Sequence, residues 1–215
     1  MGTAGGKIAV MVAGTLLVLA AGCGHGGGSG PSLPAAGGSG TGSGTATDDT
    51  EPPTPGVTES NPAGDIPDNQ VYVPFTAPGG LVEVRVPEGW ARTSNAGETT
   101  FTDKLNSVRI QVVPAATAPT ARSAQQDLAK IRVTAHGFTG GRVRSVTRKA
   151  GPVTLTQYQA DSAPDPVTGK VVVDAVERYA FWKNGQEAIV TLSGPRGADN
   201  VDPWRTVSDS VRWLK

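Results

Sequence analysis

All eleven aromatic side chains of this 215-residue chain lie between Tyr72 and Trp213. A segment without large apolar side chains cannot offset the entropy lost on ordering it, so the core must form from the later part of the chain. The sequence therefore predicts one folded domain over residues 66–215, and we expect it to be monomeric. This domain has 18 basic and 14 acidic residues, a formal charge of +4 that is too thinly spread to indicate nucleic-acid binding.

The N-terminus has the pattern of an export signal. Lys7 precedes 14 uncharged residues, 8–21, a length typical of a secretory signal and short of the roughly 20 needed to cross a bilayer. This run ends in Leu19-Ala20-Ala21-Gly22-Cys23, where small residues precede the only cysteine. The pattern predicts a lipoprotein signal peptide, residues 1–22, cleaved between Gly22 and Cys23. Two alternatives remain: secretion after a nearby alanine without lipid, and a short uncleaved anchor.

Lipid on Cys23, including palmitate, would hold the chain on the outer face of the cell membrane. Residues 23–65 would then be a linker, because 29 of the 42 residues in 24–65 are Gly, Pro, Ser or Thr and none is aromatic. This composition predicts disorder, with a root-mean-square reach of about 35 Å. The Thr/Pro-rich part, residues 45–62, also has the composition of an O-glycosylated stalk.

The domain sequence alternates in strand fashion, with one helical interruption. Apolar residues recur at steps of three and four from Ala121 to Ala135, which predicts a helix with Thr120 as its N-cap and a stop at Gly137. Asn184-Gly185 predicts a tight hairpin, and Asp202-Pro203 predicts the start of a closing helix that runs through Val211 to Leu214. The predicted strands cover residues 81–86, 99–103, 107–113, 141–149, 152–160, 170–182 and 187–192, the first three as a meander. Because strands and helices do not alternate, the order favours an α+β domain built on an antiparallel sheet flanked by helices.

Several of these features resemble the PsbP-like lipoproteins of actinobacteria, of the LpqN type. They are Val86-Pro87-Glu88-Gly89-Trp90 after the first strand, the mid-domain helix, the long hairpin, and Asp209-Ser210-Val211-Arg212 near the end. The resemblance covers residues 71–214. It implies an α/β/α sandwich around an antiparallel sheet and a non-enzymatic binding role at the cell envelope, and it implies no catalytic or cofactor residue.

Candidates for chemistry are few. His136 is the only histidine after residue 65, and its predicted place at a helix C-terminus suits a structural role. There is no G-x-S-x-G motif, and Asp161 and Asp165 flank a proline turn without a nearby His or Cys to complete a metal site. We therefore expect no cofactor, no metal site and no catalytic residue.

One basic run is a candidate docking face. In a strand, Arg142, Arg144 and Arg148 would point to the same side. They could contact a partner or anionic lipid, although a solvated face that discourages edge pairing is the alternative.

The leading hypothesis is a lipid-anchored envelope protein whose domain binds a partner protein or an apolar ligand without chemistry. A cell-wall or lipid hydrolase using His136 is the first alternative, and it requires a cleft that joins this histidine to a serine and a carboxylate. A plain surface spacer is the second.

Overall fold

The structure is a computed structural model that describes residues 64–165 and 167–214. In chain order the elements are β1 (Tyr72–Thr76), β2 (Val82–Pro87), β3 (Ala91–Asn95), β4 (Glu98–Asp103), β5 (Asn106–Pro114), α1 (Ala121–Thr134), β6 (Thr139–Arg148), β7 (Gly151–Asp161), β8 (Val173–Lys183), β9 (Gln186–Pro195), α2 (Val201–Asp209) and β10 (Arg212–Trp213). Every strand pairing within the described residues is antiparallel. The predicted α+β class, an antiparallel sheet flanked by helices, is confirmed.

The strands form two sheets. Seven strands are ordered β3-β4-β5-β9-β8-β7-β6, and three are ordered β1-β2-β10. The predicted meander is therefore wrong in one respect, because β2 pairs with β1 and β10 rather than with β4. Alternation identifies the buried face of a strand but does not specify its partner.

The core lies between the two sheets. Leu155, Tyr179 and Val190 of the large sheet are at most 1% exposed, and they share one cluster with Val82 and Val84 of the small sheet. Trp204 and Val207 of α2 complete this cluster. The opposite face of the large sheet is partly covered by α1, whose buried residues are Ala124 and Leu128. The large sheet is thus the middle layer, with α1 on one face and α2 with the small sheet on the other.

The start of α1 and the β8–β9 hairpin follow the sequence signals. Thr120 caps α1 by accepting from the backbone N–H of Ser123 at 3.1 Å, and the Ser123 hydroxyl accepts from the N–H of Thr120 at 2.9 Å. At the hairpin, Asn184 and Gly185 have φ values of 48° and 77°, the left-handed conformations that such a turn requires. Both predictions are confirmed.

The closing helix differs from its prediction. Asn200 is its N-cap, Asp202 lies inside the first turn, and the helix ends at Asp209. The Ser210 hydroxyl accepts a hydrogen bond from Arg85 N–H at 2.8 Å and donates one to the Val207 carbonyl at 2.6 Å. This contact draws the chain out of the helix and into β10, so the apolar spacing through Val211 and Leu214 reflects packing rather than further helical turns.

Residues before the predicted domain boundary also pack into the domain. The Gly64 carbonyl accepts from the side-chain amides of Asn106 at 2.8 Å and Asn200 at 3.0 Å. The backbone N–H of Ile66 donates to the Asn200 side chain at 2.8 Å. Because Asn106 and Asn200 are buried, Gly64 belongs to the packed domain although the sequence assigns it to the linker.

Candidate functional site

An uncovered part of the large sheet forms a polar groove. Helix α1 lies over β6 and β7, so the adjoining face of β8, β9, β5 and β4 is left open beyond its C-terminus. The groove there has a volume of about 340 Å³. Its floor carries Asp174, Val176, Thr191, Ser193, Ser107 and Thr100 on one face of four adjacent strands, and residues 161–163 form part of its rim. We call this the α1-side groove.

Asp174 is the distinctive residue of the α1-side groove. It is 7% exposed, and among the described residues its buried Oδ1 has no hydrogen-bond partner. Burial raises the pKa of this carboxyl to about 6, and the nearby Ser193 hydroxyl only partly offsets the rise. A buried carboxylate oxygen without a donor is costly, so this acceptor is available to a ligand group.

The other polar groups of the groove are largely paired. Ser107 and Ser193 share a hydrogen bond of 2.7 Å between their hydroxyls, and Arg109 lies 3.9 Å from the Glu98 carboxylate. The Tyr158 ring stacks on Phe138 with 5.5 Å between centroids. Burial raises the pKa of Tyr158, and Arg109 and Arg178 oppose that rise, so the phenol stays protonated at neutral pH.

Sequence reasoning missed Asp174. The signal was present, because Asp174 is the only charged residue in the apolar run Val171-Val172-Val173-Asp174-Ala175-Val176. A carboxylate in a strand with apolar neighbours on both sides is either paired or functional.

The three arginines of the predicted docking face have different environments. Arg142 and Arg144 are exposed, whereas the side chain of Arg148 is 19% exposed. Arg148 Nε donates to the Ser208 hydroxyl at 2.9 Å, and its guanidinium donates to the Tyr179 hydroxyl at 2.9 Å. Arg148 is therefore committed to the packing between β6 and α2, while Arg142 and Arg144 remain accessible at the sheet edge.

Arg148 belongs to a polar chain inside the domain. The Tyr179 hydroxyl donates to the Glu177 carboxylate, which also accepts from the Gln157 amide at 2.6 Å. Burial, followed by Glu177, raises the pKa of Tyr179 to about 12, against the opposing effect of Arg148. This chain leads to a second groove of about 550 Å³ between Arg142 and Trp204. The polar groups of the chain from Arg148 to Gln157 hydrogen-bond to one another, which indicates that this chain has a structural role.

A third groove, about 990 Å³, lies between α2 and the small sheet. Two ion pairs line it, Arg212 with Glu83 at 2.8 Å and Arg205 with Asp209 at 3.6 Å. The other charged side chains of its lining form no ion pair among the described residues; they are Arg85, Lys149, Lys183 and Asp202. No buried side-chain atom without a partner lines it within the described residues.

His136 stands apart from the groups that a hydrolase would need, within the described residues. It lies beyond the end of α1 at Thr134, one residue after the C-cap Ala135, and it is exposed. Its backbone carbonyl accepts from Asp161 N–H at 2.9 Å, and across residues 64–165 and 167–214 no hydrogen bond joins its imidazole to a serine or a carboxylate. The hydrolase alternative is not favoured.

Metal-binding clusters and membrane helices are absent from the described ranges. No group of three or more His, Cys, Asp or Glu side chains lies close enough to hold a metal ion there. Asp165 instead organises its turn by accepting from the N–H groups of Val167 at 3.0 Å and Thr168 at 2.7 Å. Within the same ranges no helix is long and apolar enough to span a membrane. Gly22, Cys23 and nearly all of the predicted linker lie outside the described residues.

No family model and no curated protein matches this sequence. Solved structures with a similar fold include a protein from Bacteroides thetaiotaomicron VPI-5482, at 12% identity and a TM-score of 0.41, which covers 66% of this chain. This chain spans 48% of that protein's length. The Ran-binding protein Mog1p of Saccharomyces cerevisiae is 9% identical with a TM-score of 0.44, over 66% of this chain and 95% of Mog1p.

LpqN of Mycobacterium tuberculosis, described as involved in cell envelope biogenesis, is 12% identical with a TM-score of 0.38, over 68% of this chain and 92% of LpqN. These three identities are at most 12% and these TM-scores at most 0.44, so the similarities carry no argument about the function of this chain.

Proposed function

We propose that this chain is an exported cell-envelope protein, anchored through lipid on Cys23, whose PsbP-like domain binds a partner without catalysing a reaction. The observation that supports the binding role is the α1-side groove, an open face of the large sheet that holds a buried carboxylate oxygen without a partner. Ligand sites are concave and orient their ligand through a few placed polar groups, and the α1-side groove offers such groups.

The chemistry of the groove lining favours one of the alternatives. Its lining is rich in hydroxyl and carboxyl groups, so a partner protein or a polar ligand fits it better than the apolar ligand that the sequence suggested. A plain spacer would need neither the groove nor a buried carboxyl with a raised pKa. A hydrolase would need a base bonded to a nucleophile, an arrangement that His136 does not provide in the described part of the chain.

The sequence pattern around Cys23 supports lipid anchoring. An anchored chain would keep the domain close to the membrane surface. A tether of about 40 residues lets the domain sample a shell of roughly 35 Å around its attachment point. Partners held in the same membrane would then meet the domain at a high effective concentration, so a modest groove affinity would suffice.

Site-specific photocrosslinking in intact cells tests the binding role. A photoreactive amino acid at Thr100, which lines the groove, should crosslink to a discrete partner. The same substitution at Thr206 on α2, on the other side of the large sheet, should not do so. Ala163→Trp fills the groove from its exposed rim and should abolish the Thr100 crosslink, whereas Ala116→Trp, in an exposed loop, should not. Equal crosslinking from Thr100 and Thr206, or no effect of Ala163→Trp, would contradict the proposal.

A further inference from the structure

The fold only partly satisfies the Asp174 carboxylate, because the Ser193 hydroxyl is a nearby donor but Oδ1 has no partner among the described residues. Asp174 lies in β8 between Ala160 of β7 and Pro195 of β9. Neither neighbour offers a side-chain donor, because one side chain is a methyl group and the other is a proline ring. With 7% of the residue exposed, water reaches only a small part of it. A group that donates N–H bonds and enters the groove would therefore gain an acceptor that solvent does not fill.

The charge of the α1-side groove is negative. Four other titratable groups line it, namely Glu98 of β4, Arg109 of β5, Tyr158 of β7 and Asp161 at the end of β7. Glu98 and Arg109 lie 3.9 Å apart and largely cancel, and the Tyr158 phenol is neutral at pH 7. Helix α1 contributes Ala135 to the lining and no charged side chain. Arg178 of β8 lies near Tyr158, next to the lining, and is the other cation on this face. Among the described residues neither Asp174 nor Asp161 forms an ion pair, so the two carboxyls give the groove a negative character when both are ionised.

The size of the groove suits the end of a side chain or a small molecule. About 340 Å³ is near the lower limit of small-ligand sites, and the hydroxyl groups of its floor can accept or donate further bonds. A guanidinium presents its N–H groups in a flat fork that matches both oxygens of a carboxylate, whereas Asp174 has one buried oxygen, Oδ1, without a donor among the described residues. A compact ammonium with three rotatable donors matches a single buried oxygen beside hydroxyl groups.

We propose that the α1-side groove binds a primary ammonium group, with Asp174 as its anionic acceptor. This inference rests on the proposed binding function and specifies its ligand chemistry. The ammonium could belong to a lysine side chain of a partner protein or to a free small amine, and the proposal covers both sources because the recognised group is the same.

The proposal also carries a pH dependence. The ionised form of Asp174 is the acceptor, and its pKa of about 6 in the unbound domain means that most molecules are protonated at pH 5. Binding should therefore be about tenfold weaker at pH 5 than at pH 7.5, and an ammonium held in the groove should lower the pKa of Asp174.

NMR titration of the folded domain, residues 64–215, tests the proposal. The probes are butylammonium and the methylamide of Nα-acetyl-lysine, with butyramide as the uncharged control and tetramethylammonium as a cation without N–H donors. We expect shift changes around β8 and β9 with both primary ammonium probes and none with either control. If the lysine probe has the lower dissociation constant, a partner lysine is the source of the ammonium. If butylammonium has the lower dissociation constant, the source is a free amine.

Asp174→Asn keeps the shape of the side chain and should weaken binding at least tenfold, while Asp127→Asn on α1 should leave it unchanged. A carboxyl ¹³C titration of Asp174 in the unchanged protein, with and without butylammonium, gives a second readout that does not depend on a variant folding. Absence of binding by both ammonium probes, or an unchanged pKa of Asp174 with the probe bound, would overturn the proposal. If Thr100 still crosslinks to a partner in that case, the binding function stands and only its ligand class is wrong.

Discussion

The guanidinium of Arg148 lies 4.9 Å from the centroid of the Tyr179 ring and also donates a hydrogen bond to the Tyr179 hydroxyl. This relationship joins β6, at the edge of the large sheet, to β8. The bond from Arg148 Nε to Ser208 extends the connection to α2. One side chain of a basic run thus fixes the position of a helix.

Arg148→Ala should therefore destabilise the domain by about 2 to 3 kcal/mol, because it removes these bonds and leaves buried polar groups unpaired. Arg144→Ala, on the same strand but exposed, should change the free energy of unfolding by no more than about 0.5 kcal/mol. Urea unfolding of the two variants measures the difference. Equal effects would show that Arg148 does not connect these elements.

Arg142 and Arg144 are the members of the predicted docking face that remain free for anionic lipid. Each base near an anionic surface contributes about 1 kcal/mol, so the pair can bias a domain that is already tethered. The double change of Arg142 and Arg144 to Glu should reduce sedimentation of residues 64–215 with anionic vesicles at low salt, without a change in stability. Equal association of the wild-type domain with neutral vesicles would reject a lipid contact.

The N-terminal boundary can be tested by truncation. A chain that begins at Ile66 lacks the Gly64 carbonyl that accepts from Asn106 and Asn200. We expect it to be less stable than a chain that begins at Gly64 by about 2 kcal/mol, the cost of leaving buried amides unsatisfied. Thermal and urea unfolding of the two chains provide the comparison, and identical midpoints would place the boundary at Ile66.

Asp174 should give the stability of the domain an unusual pH dependence. Its pKa rises from 3.8 to about 6 on folding, so the fold favours the protonated form. The contribution of this group to the free energy of unfolding is therefore greatest below pH 4 and falls by up to about 3 kcal/mol as the pH rises through 6. Asp174→Asn should gain stability relative to the wild type between pH 4 and pH 7. A constant difference at both values would show that Asp174 is not desolvated.

Lipidation of Cys23 predicts a change in partitioning. With Cys23→Ala the full-length protein should move from the detergent phase to the aqueous phase in a two-phase extraction, because no acyl chain remains to hold it. A Ser29→Ala change in the predicted linker is the matched control and should stay in the detergent phase. Recovery of Cys23→Ala in the detergent phase would contradict the lipid anchor.

The sequence alone determined the local elements whose signals involve near neighbours. The helical period from Ala121 to Ala135, the cap at Thr120 and the Asn184-Gly185 turn each depend on residues within a few positions, and the structure confirms all three. The distribution of aromatic residues likewise predicts that the core forms from residues after 65.

Tertiary structure decided what long-range contacts control. Whether β2 pairs with β4 or with β10, and whether Val211 continues a helix, depends on contacts between segments more than 100 residues apart, such as Arg85 with Ser210. The environments of the three arginines also depend on such contacts. Arg142, Arg144 and Arg148 are equivalent in the strand pattern, but only Arg148 packs against α2. Asp174 became a candidate site only when four strands and the end of α1 enclosed it, because burial and the loss of hydrogen-bond partners are properties of the packed surroundings.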